Sequence, residues 1–332
     1  MFQNKNIKAS DLNVLIRNSA LQKGVREVVI EKDYWVSYLL HYLFHENKWS
    51  DYFTFKGGTS LSKCYKLIER FSEDVDLILD WRVLGYTKNE PWKERSNTKQ
   101  GKFNEEINIK TIKFLREDFL PEIKKDLEKL LGEGFGLYLD DLDPQTILFK
   151  YPGDFKTSYL PNVIRLEIGS LAAWTPAKEV NIKPYIADYY PRLFTAEGSK
   201  IRTVSAERSF WEKVTILHHE ANRPKASEMP KRYSRHYYDV YNMGHSRYKD
   251  SALKDLELLN EVTNFKIKFY PRKWARYEDV LKGEVKLLPG DFRIQRLAED
   301  YASMRDMFFQ EEPAFNELMD YIGQLEKEIN NR

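Results

Sequence analysis

Two aspartates separated by one residue, in the run Ser72-Glu73-Asp74-Val75-Asp76-Leu77, are the side chains of this sequence best suited to chemistry. Side chains alternate along a strand, so carboxylates at i and i+2 point to one face. Val75, Leu77 and Leu79 then fall on the opposite face, where they can bury. Two like charges held side by side raise one another's proton affinity unless a cation lies between them. Mg²⁺ suits that place, because it takes one or two carboxylates and keeps its other positions for water and substrate phosphates.

The elements in front of the pair supply the complement. Tyr52-Phe53-Thr54-Phe55 has the β-branched and aromatic composition of a strand, and Lys56-Gly57-Gly58-Thr59-Ser60 follows it. Two glycines let the backbone turn tightly and approach a ligand closely. Thr59 or Ser60 can cap a helix expected from Leu61 to about Phe71, with Leu61, Cys64, Leu67 and Ile68 as its apolar positions. A helix start behind glycine offers free N–H groups to an anion. Lys56, Gly57, Gly58, Thr59, Ser60 and Ser72 are therefore the expected nucleotide-binding positions. A Gly-Gly turn alone is ordinary, and so is an Asp-x-Asp strand face; their order in one strand-helix-strand unit is what points to nucleotide and metal. The turn is neither a P-loop nor a dinucleotide fingerprint, since G-x-G-x-x-G is absent and Lys63 falls inside the expected helix.

Lys-Gly-Gly-Thr-Ser-Leu-Ser-Lys followed by Arg70-Phe71-Ser72-Glu73-Asp74-Val75-Asp76-Leu77 resembles the first motif of the AbiEii/MenT-type nucleotidyltransferase toxins, a branch of the polymerase β-like superfamily. Ile30-Glu31-Lys32-Asp33-Tyr34-Trp35 resembles the segment preceding the core in that family. In Val163-Ile164-Arg165-Leu166-Glu167-Ile168-Gly169 the apolar residues share one face and leave Arg165 and Glu167 on the other. Glu167 is the candidate third carboxylate, as metal ligand or as general base; an Arg165–Glu167 pair on a wet face is the alternative. Two later stretches, Ser205 to Lys213 and Arg232 to Tyr241, also resemble family motifs. The resemblance implies that Lys213 and Asp239 are functional, with Lys213 offsetting phosphate charge and Asp239 orienting it; an interhelical ion pair is the alternative. Arg232 and Arg235 are expected to guide triphosphate or acceptor.

Length and composition bound the rest. At 332 residues the chain exceeds one usual core, so two lobes are expected: residues 1–200, with N-terminal helices and the nucleotidyltransferase core, and a mainly helical lobe over 201–332. The fold class expected is α+β, a mixed sheet flanked by helices, with a long helical insert around Phe103 to Leu131 and a strand and loop over Lys178 to Tyr190. Two amphipathic helices close the chain, carrying Leu297, Tyr301, Met304 and Phe308, then Phe315 to Ile329 behind Pro313. A composition of 42% hydrophobic and 31% charged residues is that of an ordinary soluble protein, and no apolar segment suggests a leader or a membrane span. The single cysteine, Cys64, excludes an internal disulfide and fits a reducing cytoplasm. His218-His219-Glu220 lacks the second histidine of a zinc helix, since position 222 is Asn222.

From Phe265 to Tyr277, Lys266, Lys268, Arg272, Lys273 and Arg276 alternate with Phe265, Phe269, Tyr270, Trp274 and Tyr277. Cations beside stacking rings would suit RNA; a lysine-protected strand edge with buried aromatics is the equal alternative. The polar stretch from Gly85 to Lys102 is either a second contact or a loop. Together these residues predict an Mg²⁺-dependent nucleotidyltransferase using an NTP. The resemblance further implies a toxin-antitoxin or abortive-infection toxin acting on tRNA at its 3′ acceptor end, with a separate antitoxin. Transfer to a protein or small molecule, and a non-catalytic RNA-binding module, are the rival readings.

Overall fold

The computed structural model describes residues 9–155 and 161–332. These form two compact units: the chain up to Cys64 together with Ser72–Val204, and Tyr65–Phe71 together with Ser205–Arg332.

The first unit is built on one mixed sheet: β1 (Phe53–Lys56), β2 (Val75–Leu79), β3 (Gly136–Leu139), β4 (Thr146–Lys150), β5 (Val163–Gly169), β6 (Ala177–Ile182) and β7 (Ser199–Val204), in the order β3-β4-β5-β2-β1-β7-β6. A cut at 200/201 would run through β7; the unit ends at Val204. Period-two patterning decides the two faces of the central strands. Phe55 faces Leu77 across β1–β2, and Leu77 faces Ile168 across the parallel β2–β5 pair. Beside them Val75, Leu166 and Ile147 form a second apolar row. All are buried in one cluster with Leu39, Leu40 and Leu43 of the N-terminal helices and Phe114, Leu115, Phe119, Ile123 and Leu127 of the insert. Each such side chain contributes about 1.5–3 kcal/mol relative to exposure. The opposite face carries the cross-strand row Lys56, Asp76, Glu167 and Thr146.

Helices α1 (Ala9–Lys23), α2 (Glu27–His41) and the short α3 (Gly57–Lys63) precede the insert. That insert is longer than the apolar pattern suggests: α4 (Asn97–Phe114) runs through a π turn at Leu115–Phe119 into α5 (Leu120–Leu131). The widened turn lets Pro121, which lacks an N–H, stay in a helical run. The basic stretch before it is a folded turn in which Arg95 donates to the carbonyls of Glu90 (2.8 Å), Pro91 (3.2 Å) and Lys93 (3.0 Å) and stacks on Phe103.

α3 starts earlier and ends sooner than the sequence suggests. Gly57 turns the chain at φ +81°, so the helix begins there, and Thr59 and Ser60 lie inside it. After Cys64 the backbone reaches φ +53° at Lys66, where helix cannot continue, so Leu67 and Ile68 lie outside it. The chain over 65–71 belongs to the second unit: Phe71 N–H donates to the Met307 carbonyl at 2.6 Å, and Arg70 bridges Phe308.

Helix α6 (Ile186–Tyr189) completes the first unit. The second is helical: α7 (Ala206–Ala221), α8 (Ser234–Gly244), α9 (Arg247–Leu253), α10 (Leu256–Phe269), α11 (Tyr277–Val280), α12 (Asp291–Ser303) and α13 (Phe315–Asn330). Ser205 caps α7 by accepting from the Arg208 N–H at 3.2 Å, and Phe210, Trp211, Val214 and Leu217 are its fully buried stripe. Phe308 lies beyond α12, in the bridge to Arg70, instead of on that helix. Residues 265–277 are not a strand edge: they are the end of α10, a short turn and the start of α11.

On α2, Glu31 accepts from the Asp154 N–H (2.9 Å) and the Phe155 N–H (3.2 Å). Burial pushes its carboxyl up to about 7, against the opposing effect of those two N–H groups. A folded-state pKa above the unfolded one stabilises below the unfolded value, and that stability is lost as pH rises through the folded value. Glu31→Gln should therefore remove a component of stability that declines by roughly 1–3 kcal/mol between about pH 4.5 and 7. Denaturant titrations of both proteins across that range measure it.

Candidate active site

In the first unit the carboxylates lie at the head of β2 and level with it on β5. Asp74 is the residue before the strand and Asp76 lies within it; both are partly exposed and alternate with the buried Val75 and Leu77. Asp76 faces Lys56 on β1 and Glu167 on β5. Burial raises the Glu167 pKa first, and the negative charges of Asp76 and Asp74 raise it further, with Arg165 opposing. Both aspartates are thus close enough to act on Glu167. Arg165 holds Asp140 at 2.7 Å and stands 3.5 Å from Glu167 Oε1, so the Arg-Glu pair is present as well. Asp140 as the closer partner of Arg165 carries no sequence signal, because it sits on the turn after β3.

Gly57 packs onto this cluster. Its backbone runs so close to Asp76 that a Cβ would overlap the carboxylate, with Cγ at 2.6 Å, and its φ is +81°. Both observations demand glycine. Ser60 Oγ donates to the Gly57 carbonyl at 2.9 Å, and Thr59 Oγ1 donates to Ser72 Oγ at 2.9 Å, which ties α3 to the segment entering Asp74. Lys56, Gly57, Gly58, Thr59, Ser60, Ser72, Asp74, Asp76 and Glu167 therefore belong to one neighbourhood of the first unit. Among the described residues no three His, Cys, Asp or Glu side chains form a metal-holding group. The donor chemistry present, carboxylates at Asp74, Asp76 and Glu167 about one strand end, is the type a magnesium ion takes while it reserves other positions for water and phosphate.

The second unit has its own charge cluster. Asp239 on α8 is fully buried and receives Arg70 in bidentate fashion, Nε to Oδ1 at 2.7 Å and Nη2 to Oδ2 at 2.9 Å. Lys213 on α7, also buried, donates to Asp239 Oδ2 at 2.7 Å and lies 3.3 Å from His236 Nδ1. Burial alone would raise the Asp239 pKa; the Arg70 and Lys213 charges outweigh it and hold the carboxyl well below the usual range. Burial lowers the Lys213 pKa, with Arg70 adding to that effect and Asp239 resisting it. Burial, then Lys213 and Arg235, push His236 down, so it is neutral. Arg70 is the functional candidate that residue spacing missed, although it stands inside the first motif. Arg235 is close enough to act on both Lys213 and His236. Arg232, at φ +59°, is exposed and its N–H donates to Asp300 at 2.6 Å.

Two other sequence signals find structural uses. His218 accepts from the Lys286 N–H at 3.0 Å through Nδ1, which places the proton on Nε2, donated to the Arg276 carbonyl at 3.0 Å. Of the five aromatics over 265–277, Phe265, Phe269 and Tyr277 are core residues and Trp274 packs on His219, leaving Tyr270 exposed. A continuous stacking surface is not formed there.

A mixed sheet that sets paired aspartates beside a glycine-glycine turn defines a nucleotidyltransferase core. The family described as nucleotidyl transferase AbiEii toxin, type IV TA system, matches residues 40–321, and the chain belongs to it. It is a nucleotidyltransferase toxin of a type IV toxin-antitoxin system, which implies an NTP substrate and an antitoxin. Among solved structures, MenT4, a nucleotidyltransferase toxin from Mycobacterium tuberculosis H37Rv, is similar over 96% of this chain and 98% of that one, at 14% identity and a TM-score of 0.49. The comparison with curated proteins gives no match. No helix of the described residues is long and apolar enough to cross a membrane.

Two outcomes follow from the geometry. Gly57→Ala must displace Asp76 and strain the turn, so it should cost about 1–3 kcal/mol in denaturant unfolding. Asp239→Asn strands two buried cations and should cost about 3–5 kcal/mol. Because the Asp239 pKa is depressed, its stabilisation is present above the ordinary carboxylate range and is lost as pH falls toward the folded-state value. Acid-unfolding curves should therefore lose that limb in Asp239→Asn.

Proposed function

We propose that the protein transfers a nucleoside monophosphate from an NTP to an acceptor hydroxyl in an Mg²⁺-dependent reaction, with Asp74 and Asp76 as the metal-holding and catalytic pair. The observation that carries this reading is the Gly57 backbone pressed against Asp76, which holds the expected nucleotide turn beside that acid. Asp74 and Asp76 would hold Mg²⁺, which would supply a lowered pKa for the acceptor hydroxyl and charge to steady the leaving pyrophosphate. The Gly57-Gly58 backbone and the hydroxyls of Thr59, Ser60 and Ser72 cradle the triphosphate, with Lys56 beside them. Glu167 takes the proton of the acceptor hydroxyl, and its raised pKa brings it nearer the working pH of a general base. The acceptor oxygen forms its bond to the α-phosphorus while the α–β anhydride bond breaks and pyrophosphate leaves. Lys213 supplies positive charge for phosphate, Asp239 orients it, and Arg232 and Arg235 guide triphosphate or acceptor.

The acceptor proposed is RNA, at the 3′ end of tRNA, and the setting is growth arrest in the cytoplasm during abortive infection and phage defence. Both rest on family resemblance. Burial of three of the 265–277 aromatics favours a second reading, transfer to a protein side chain or small molecule, since it withdraws a stacking surface that only RNA would need.

Incubation with Mg²⁺, each labelled NTP in turn and total tRNA tests both. Label should move to tRNA, and Asp74→Ala and Asp76→Ala should each lower transfer by about a hundredfold or more. Label on protein would select the second reading, and undiminished transfer by Asp74→Ala would refute the catalytic assignment.

A further inference from the structure

Glu31, Lys32 and Asp33, consecutive on α2, are buried, at 1%, 1% and 8% exposure. A helix that needed only to cover a sheet would put apolar residues there, since a buried charge costs several kcal/mol unless it is paired. Each of these three reaches a different segment. Glu31 takes the N–H groups of Asp154 and Phe155. Lys32 pairs with Glu73 and donates to the Pro161 carbonyl at 3.1 Å. Asp33 pairs with Lys63 and accepts from the Tyr185 N–H at 2.6 Å.

Two of those partners adjoin the active site. Glu73 is the residue before Asp74, and Lys63 is the last residue of the helix that Gly57 opens. The Thr59–Ser72 hydrogen bond of 2.9 Å closes the bracket from the other side. Lys32 and Asp33 are neighbours on one rigid helix, about 1.5 Å apart along its axis, so the Asp74 approach and α3 are referred to a common support.

We propose that Lys32 and Asp33 are positioning residues for this reaction: Lys32 holds the approach to Asp74 through Glu73, and Asp33 holds the Gly57 helix through Lys63. Neither touches metal or nucleotide. The proposal rests on the nucleotidyltransferase reading of Asp74 and Asp76. It divides the labour, since Lys32 governs where the carboxylates stand and Asp33 governs where the nucleotide turn stands.

The test uses the full chain, with Mn²⁺ alone titrated as a spectroscopic probe and labelled-NTP transfer measured in parallel. Lys32→Met should weaken Mn²⁺ half-saturation and lower kcat by about tenfold or more with NTP KM little changed, as a small misplacement of reacting groups does. Lys32→Arg should recover part of both. Asp33→Asn should act mainly on NTP KM. If Lys32→Met does not fold, Glu73→Gln breaks the same pair at a partly exposed residue and should reproduce the Mn²⁺ shift. A folded Lys32→Met or Glu73→Gln protein with wild-type Mn²⁺ binding and kcat overturns the proposal, as does a fall in activity that tracks only the folded fraction. Asp74→Ala is the control: if it binds Mn²⁺ and transfers like wild type, the underlying assignment fails. If it is inactive while the Lys32 and Glu73 variants are unaffected, only the positioning role fails.

Discussion

A side chain at position 57 would occupy the volume of the Asp76 carboxylate, and much of the first unit follows from that exclusion. A strand end, a left-handed glycine and a helix start must all fall within Lys56–Gly58 for the backbone to pass so near β2. The antiparallel β1–β2 register, Phe53 to Leu79 through Lys56 to Asp76, is what brings position 57 level with the acid. A slip of one residue would turn Asp76 into the apolar cluster and Leu77 toward water. Hydrophobic burial on one face thus fixes where charge can stand on the other.

The same logic explains why Glu167 belongs with the aspartates although it lies far along the chain. β5 is parallel to β2, and its register places Glu167 level with Asp76 because Leu166 and Ile168 must match Val75 and Leu77. Three carboxylates on neighbouring positions repel, and the rise in the Glu167 pKa reports that repulsion together with burial. Such a cluster destabilises the free protein. It persists because the apolar face opposite it is continuous across the central strands.

The acid pair, the strand before the glycines, the buried stripe of α7 and the helical character of the C-terminal unit were all legible as period-two or helical patterns. What escaped was set by contacts between distant segments. The end of α3 at Lys63 depends on residues 65–71 joining the second unit, where Phe71 pairs with Met307 and Arg70 with Asp239. Arg70 reads as one more basic residue until its partner is known, 169 positions away. The alternation of rings and cations over 265–277 leaves a stacking surface and buried aromatics equally open, because spacing cannot tell an aromatic that faces a helix neighbour from one that faces water; on α10 Phe265 and Phe269, four apart, share the buried side.

Charge balance in the second unit is set by burial as much as by pairing. Arg70 and Lys213 together bring two positive charges to the single negative charge of Asp239, and His236, held neutral, adds none. A buried pair kept only for stability is best when neutral, and apolar residues of similar volume would usually serve as well or better. Burial is the chief cause of the lowered Lys213 pKa, with Arg70 adding to it, and the bidentate Arg70 grip on Asp239 leaves the ammonium sharing that carboxylate. Under the proposed function, phosphate oxygens approaching Lys213 would meet an ammonium that already shares its carboxylate with Arg70.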